Sequence, residues 1–395
     1  MDEPFLKAKP ILKKLHDNGY DAFFVGGSVR DFLMGRQIGD IDIATSALPE
    51  VIMKLFPKTV DVGAVHGTVI VLYENEQYEV TTFRTEDDYN DFRRPSQVQF
   101  VKSLYEDLKR RDFTMNAIAM SVDGEIIDPF GGTDSIKNRL IKTVGNPLER
   151  FSEDALRMMR AIRFVSQLSF SLCEETKLAI TENASLLRKI SIERITIEFE
   201  KLLKGPNCQE AVPYLIETLL YKYLPGIDSY RESLKTFKSY KWDSLLNRSE
   251  YWTLVCYLLQ VPHITAFLRL WKLPNKVIDQ TIQNLVCLSE VNSKGWTSRL
   301  LYESGEECIH QVERIIDVIG GTIGVEAPID LYRRLPIKKR TDMNVTGQDL
   351  INWYEKKPGK WISELLEKIE NAILNENIDN NKQKIKEWLF SCNLK

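Results

Sequence analysis

Ala22-Phe23-Phe24-Val25-Gly26-Gly27-Ser28-Val29-Arg30-Asp31, followed by Gly39-Asp40-Ile41-Asp42-Ile43-Ala44, decides the reading of this chain. Ala22 to Val25 is a short apolar run with the character of a buried strand. Gly26-Gly27 lets the backbone turn sharply and approach a ligand closely. Ser28 with Asp31 three residues on has the form of a capping box, so a helix is expected to begin there. Gly35 marks its stop. The N–H groups and positive dipole end of a helix start suit a phosphate, and Arg30 adds a charge-assisted hydrogen bond. Asp40 and Asp42, two apart on an expected strand, face the same way. Adjacent carboxylates repel unless a cation lies between them. Hard oxygens with room for waters and phosphate oxygens favour Mg²⁺, and such a site suits in-line displacement at phosphorus. Asp-x-Asp alone is more often a solvated turn; the glycine turn upstream gives it weight.

The surrounding sequence is that of a multi-domain globular protein. Its 395 residues are 43% hydrophobic and 28% charged, enough for two or more cores. The net charge of −3 does not demand nucleic acid, although a local basic stripe would suffice to bind it. Six scattered cysteines without Cys-x-x-Cys read as reduced small hydrophobes rather than a zinc or disulfide framework. The acidic N-terminus lacks the apolar stretch of a signal peptide, and the apolar run Trp252 to Val261 is too short for a bilayer. A cytoplasmic location, no membrane and a monomer are expected.

Thr68 to Tyr73 and Tyr78 to Phe83 predict an antiparallel hairpin across Glu74-Asn75-Glu76-Gln77. Ala117 to Val122 and Glu125 to Asp128 predict a second across Asp123-Gly124. Beyond Asn146-Pro147 strand signals nearly vanish. Asp154 to Gln167, Glu174 to Ile180, Ile192 to Leu203 and Gln209 to Tyr223 have helical spacing.

The opening stretch resembles the signature of the polymerase-β-type nucleotidyltransferases, Gly-Gly-x-x-Arg-Asp followed by Asp-x-Asp. In particular it resembles the class II tRNA nucleotidyltransferases, the CCA-adding enzymes, and their bacterial poly(A) polymerase relatives. Downstream segments resemble further family motifs in order: Arg110-Arg111-Asp112-Phe113-Thr114-Met115-Asn116-Ala117, Asp128-Pro129-Phe130-Gly131-Gly132, Glu153-Asp154-Ala155-Leu156-Arg157, and Ser191-Ile192-Glu193-Arg194 with Glu198. The resemblance implies an α/β catalytic head with a mixed or antiparallel sheet over residues 1–145. It implies an all-α remainder: a neck over 146–205, a body over 206–300 and a tail over 301–395. It implies addition of C, C and A to the tRNA 3′ end from CTP and ATP, without a nucleic-acid template.

Asp154 and Arg157 lie three apart, so on one helix they share a face. An ordinary intrahelical ion pair satisfies that spacing. A carboxylate beside a guanidinium also complements the amino donor and ring-nitrogen acceptor of both cytosine and adenine. Uracil and guanine present the reverse pattern and would leave buried charges badly paired. The resemblance implies this base-selecting role for Asp154 and Arg157. It makes Arg160 and Arg163 nucleotide-contacting candidates, Arg111 and Asn116 partners of the triphosphate and ribose, and Asp112 an acceptor for a ribose hydroxyl. With Gly26, Gly27, Ser28 and Arg30 they form the expected nucleotide site. Asp40 and Asp42 are the expected metal ligands, and Glu79, on a predicted strand, is a candidate third carboxylate for activating the attacking hydroxyl. Glu86 to Pro95 is polar and irregular; the resemblance implies a loop that helps the switch from CTP to ATP. His66 reads as structural.

Lys338-Lys339-Arg340, Lys356-Lys357 and Lys360 are interleaved with Trp353, Tyr354 and Trp361. These suit an RNA backbone and exposed bases, although solvated helix faces over core aromatics explain them equally simply. The resemblance implies a tail that grips the tRNA elbow. An A-adding enzyme, a poly(A) polymerase and, from another class, a non-catalytic RNA-binding protein remain as alternatives.

Overall fold

The computed structural model describes residues 1–86, 98–321 and 326–391. It divides into two compact units. One comprises Met1–Ser239 with Leu270–Lys272, the other Tyr240–Arg269 with Leu273–Lys395.

The first unit begins with helix α1 (Glu3–Asp17), which buries Phe5, Ala8, Ile11, Leu12 and Leu15 along one stripe. Strand β1 (Ala22–Val25) follows, then helix α2 (Gly27–Leu33), strand β2 (Asp42–Thr45) and helix α3 (Pro49–Leu55). Strands β3 (Thr59–Gly63), β4 (Thr68–Tyr73) and β5 (Glu76–Thr82) complete one side of the sheet. The β4–β5 hairpin turns at Glu74-Asn75, both with positive φ, as two-residue hairpins with right-handed strand twist require. Strands β6 (Arg84–Glu86) and β7 (Val98–Phe100) form a separate antiparallel pair. Helix α4 (Leu104–Lys109) leads to β8 (Ala119–Met120) and β9 (Ile126–Ile127). The seven-stranded sheet runs β3-β4-β5-β2-β1-β8-β9. Only β2 and β5 are parallel, so the sheet is mixed, as expected. Its core packs Phe24, Ile43, Val69, Val71 and Val80 with the stripe of α1.

Helix α5 (Gly132–Lys137) starts where the Asp128 carboxylate accepts from the Gly132 and Thr133 N–H groups at 2.7 and 2.8 Å. A Cβ at Gly132 would stand 2.2 Å from the Thr114 carbonyl oxygen. Asp128-Pro129-Phe130-Gly131-Gly132 therefore docks against residues 114–116. Helices follow: α6 (Pro147–Glu153), α7 (Leu156–Leu168), α8 (Glu174–Asn183), α9 (Ile192–Leu203) and α10 (Cys208–Glu217). A short parallel pair, β10 (Leu140–Ile141) with β11 (Ser171–Leu172), lies among them. The predicted helix through Tyr223 stops at Glu217. Leu219 takes φ 61°, and Leu220–Tyr223 is a separate 3-10 turn.

Among its described residues the regular elements of the second unit are all helices, and its C-terminal part packs Leu301, Ile309, Leu350, Ile369, Ile373 and Leu389 in one core. Trp353, Tyr354 and Trp361 are partly buried against that core. Lys386 sits over the Trp353 ring and Lys356 over Tyr354, so the tail aromatics are packing residues with cations laid across them. The five described cysteines are free thiols. Among the described residues, no single helix is long and apolar enough to cross a membrane.

Candidate active site

The site begins where β1 ends. Gly26 takes φ 75° and ψ −135° and caps α2. A Cβ there would stand 3.0 Å from Arg111 Nη1 and 3.4 Å from Asp42 Oδ2. Only glycine allows both the turn and this close approach. The expected capping box does not form. Ser28 lies inside the first turn and donates to the Val25 carbonyl at 3.1 Å. Asp31 instead accepts from Arg30 Nε and Nη2, both at 3.0 Å. Gly26 occupies the cap because its positive φ makes the turn without a side-chain acceptor.

Asp42 is the first residue of β2, paired with Val25 on one side and Glu79 on the other. That register places the Asp42 and Glu79 carboxylates side by side across parallel strands, facing one cavity. Burial and the Glu79 charge push the Asp42 carboxyl up to about 6, against the pull of Arg111 and with a further push from Asp40. Asp40 differs from its expected place. It precedes the strand, is exposed, and does not line the cavity. β1 turns away at Gly26, so no strand residue remains to pair with it.

The cavity has a volume of about 980 Å³ and is lined by eight arginines against four carboxylates. Gly26, Gly27, Arg30, Arg111, Asp112, Asn116, Asp154, Arg157, Arg160 and Arg163, all expected at the site, line it. Arg30 donates through Nη1 to Asn116 Oδ1 at 2.8 Å. Asn116 Nδ2 donates to Asp112 Oδ1 at 3.0 Å, and Arg160 Nε donates to Asp112 Oδ2 at 2.8 Å. Burial alone would raise the Asp112 carboxyl; Arg160 and Asn116 bring it down to about 2. Both its oxygens are thus engaged, which makes Asp112 the anchor of Arg160 and Asn116. The Phe164 ring gathers the guanidiniums of Arg30, Arg160 and Arg163 at 5.4, 5.6 and 4.1 Å. Arg163 stands 2.7 Å from Glu198, yet burial pushes it down to about 10.

Asp154 and Arg157 both line the cavity, but not as neighbours on one helix. Asp154 is extended, φ −137°, at the break between α6 and α7. It pairs with Arg194 at 2.8 Å, while its other oxygen accepts from the Leu156 N–H at 3.1 Å. Arg157 pairs with Glu153 at 2.7 Å and donates to the Arg110 carbonyl at 3.0 Å. The intrahelical spacing argument fails because α6 ends before Asp154 and α7 begins after it, so the two residues do not share a helix. Arg84, Arg110, Arg194, Phe164 and His66 also line the cavity. Arg110 and Arg194 stood within the quoted motifs; Arg84 and Phe164 had no local signal. Arg84 donates to the His66 carbonyl, so the turn carrying His66 is held by an arginine of the wall. The Arg111 Nε and Arg194 Nη1 atoms are buried without a hydrogen-bond partner among the described residues. Among the described residues no three ligating side chains form a complete metal cage.

A Poly A polymerase head domain family matches residues 22–142, and tRNA nucleotidyltransferase domain 2 matches residues 244–389. The chain is 52% identical to the CCA-adding enzyme of Geobacillus sp. (strain WCH70) over 398 residues, covering 100% of this chain and 98% of that relative. The chain belongs to the CCA-adding enzyme family. Another member of the family, from Bacillus cytotoxicus, is 51% identical over 99% of both chains. The solved Bacillus stearothermophilus CCA-adding enzyme in complex with CTP superposes with a TM-score of 0.93 at 47% identity, covering 100% of this chain and 98% of that one. The family's members are tRNA nucleotidyltransferases, and this chain is one of them.

Proposed function

We propose that the arginine-lined cavity adds C, C and A in turn to the tRNA 3′ end, taking CTP and ATP and releasing pyrophosphate. The observation that carries this reading is the meeting of three features in one cavity: a backbone-only glycine turn, the Asp42–Glu79 carboxylate pair, and an excess of arginine over carboxylate. The glycines let a triphosphate approach the backbone, and Arg30 and Arg111 offset its charge. Asp154 and Arg157 flank the base; engaging it requires each to exchange part of its pairing with Arg194 and Glu153. That exchange favours a base whose edge replaces both partners, which cytosine and adenine do. Asn116 and Arg160, fixed through Asp112, face the ribose.

Asp42, Glu79 and Asp40 fit a hard divalent cation, and we assign Mg²⁺. Burial first, and then the charges of Glu79 and Asp40, raise Asp42, and an incomplete protein cage suits an ion that keeps waters and phosphate oxygens. When bound, the ion supplies charge neutralisation at the reacting phosphate. Asp40 and Asp42 would hold that ion, and Glu79, beside Asp42, would orient the attacking 3′-hydroxyl. Most of the rate then comes from position and charge. The reading includes a head over residues 1–145, a neck over 146–205 and a body over 206–300. It also includes a tail over 301–395 gripping the tRNA elbow, a monomeric chain and action in the cytoplasm. The segment assigned to the CTP-to-ATP switch, Glu86 to Pro95, lies outside the described residues from position 87 onward.

The test is incubation with tRNA lacking its 3′ CCA, Mg²⁺ and each NTP singly or combined, resolved at single-nucleotide length. Two C residues from CTP, and one A only when ATP is added, is the expected result. A long A-tail means a poly(A) polymerase. Addition of A only to tRNA ending in CC means an A-adding enzyme.

A further inference from the structure

Asp107 lies on α4 with no solvent exposure. A buried carboxylate survives only where charge and hydrogen bonds compensate it. Here Oδ1 accepts from Arg110 Nε at 3.0 Å and lies 2.8 Å from Arg110 Nη2, while Oδ2 accepts from Arg111 Nη2 at 3.3 Å. Oδ1 also meets the backbone N–H of Arg84 at 3.4 Å. One carboxylate thus binds three arginine-bearing positions of the cavity wall, while Asp107 itself does not line the cavity.

We propose that Asp107 is a positioning residue for the nucleotide triphosphate, holding Arg110 and Arg111 in place and turning Arg111 toward the glycine turn. This rests on the phosphate-binding role given to Arg111 above. Arg111 stands between two carboxylates. Its Nη2 is held by Asp107, its Nη1 lies beside Gly26 and donates to the Asn116 carbonyl at 3.4 Å, and its charge is felt at Asp42. Without the Asp107 charge, the remaining compensation for Arg111 is Asp42. An Arg111–Asp42 pair would take the guanidinium from the phosphates and the carboxylate from the cation. The α4 backbone is anchored independently: Arg157 donates to the Arg110 carbonyl at 3.0 Å and Arg150 to the Lys109 carbonyl at 3.4 Å. Removing the Asp107 charge therefore releases side chains while the chain path stays tied. The triphosphate is common to CTP and ATP, so the effect falls equally on both and leaves base choice alone.

The test compares D107N, R111A and the double variant. KM and kcat are measured for CTP on tRNA lacking CCA and for ATP on tRNA ending in CC, with UTP misincorporation as the selectivity readout. Inorganic pyrophosphate inhibition gives a probe without a base. Loss of a charge-assisted contact predicts that D107N raises both KM values by the same factor, about tenfold. It weakens pyrophosphate inhibition in parallel and leaves the CTP-to-UTP preference unchanged. In the R111A background the D107N effect largely disappears, because a positioning residue has nothing left to position. Independent, multiplying effects in the double variant overturn the proposal, as does a lowered thermal midpoint with unchanged KM. If R111A itself leaves both KM values unchanged, the phosphate reading of Arg111 falls, and this inference with it.

Discussion

Asp107 in the first unit and Glu370 in the second are both buried carboxylates that gather two arginines, and they put them to different uses. Asp107 holds Arg110 and Arg111 at the wall of a cavity. Glu370, 2% exposed, accepts from Arg299 at 2.6 Å, Arg340 at 3.0 Å and Tyr302 at 2.9 Å. It thereby ties the helix Lys360–Leu374 to the helical stretch Ser298–Val318 and to the turn at Arg340. Each of its oxygens faces protein donors. In the first unit, guanidinium nitrogens of Arg111 and Arg194 are left without partners. The difference teaches that a buried carboxylate closed on arginines away from any cavity is a structural tie, whereas one that holds arginines at a cavity wall keeps their charge where a ligand can enter.

The strongest way to break that distinction is Asp42→Ala. It should lower incorporation at least about a thousandfold while leaving tRNA binding intact, as expected for a group at the centre of charge stabilisation. Retained turnover would remove Asp42 from the chemistry. Next is Arg157→Ala, expected to cost about a hundredfold in kcat/KM for CTP and ATP and to narrow the preference over UTP. Single-turnover assays with each nucleotide would show it. Gly26→Ala strains a left-handed residue and crowds Arg111, so a loss of about tenfold is expected, concentrated in KM for both nucleotides. Glu370→Gln should do the reverse. Chemical denaturation should show a loss of about 2 kcal/mol, the partly exposed arginines limiting the cost, while KM for CTP and ATP stays put. A raised KM would deny that Glu370 is only a tie.

The smallest effect concerns pH. Asp42 is raised from 3.8 to about 6 in the folded chain. A carboxyl raised on folding favours the folded state below its ordinary range, and that contribution is lost as pH rises through about 6. Without divalent cation at pH 8, Asp42→Asn should therefore raise the thermal midpoint by about 2 °C although it abolishes activity. Added Mg²⁺ should shrink the difference by stabilising the native carboxylate, and thermal scans with and without the ion decide it.

Much of this arrangement was legible in the sequence. The first strand, the glycine turn, the β4–β5 hairpin and the helix over Ile192–Leu203 follow from residue patterning alone, because periodicity and turn chemistry are local. Residues of the cavity wall were legible where they stood in contiguous motifs. Their partners were not. Asp154 and Arg157 are close in sequence but pair with Arg194 and Glu153, because an extended residue between α6 and α7 breaks the face they were expected to share. Asp40 reads as the twin of Asp42, yet the strand starts one residue after Ile41. Arg84 and Asp107 gave no local sign of convergence.

The sequence by itself determined which chemistry was available: a glycine turn for phosphate, carboxylates for a cation and arginines for charge. These depend on residue type and short-range conformation. The tertiary structure alone decided which carboxylate stands beside which, since Glu79 reaches Asp42 only through the register of two parallel strands. It also decided which arginines are spent on internal partners and which retain unpaired nitrogens, because that balance is struck among residues far apart in the chain.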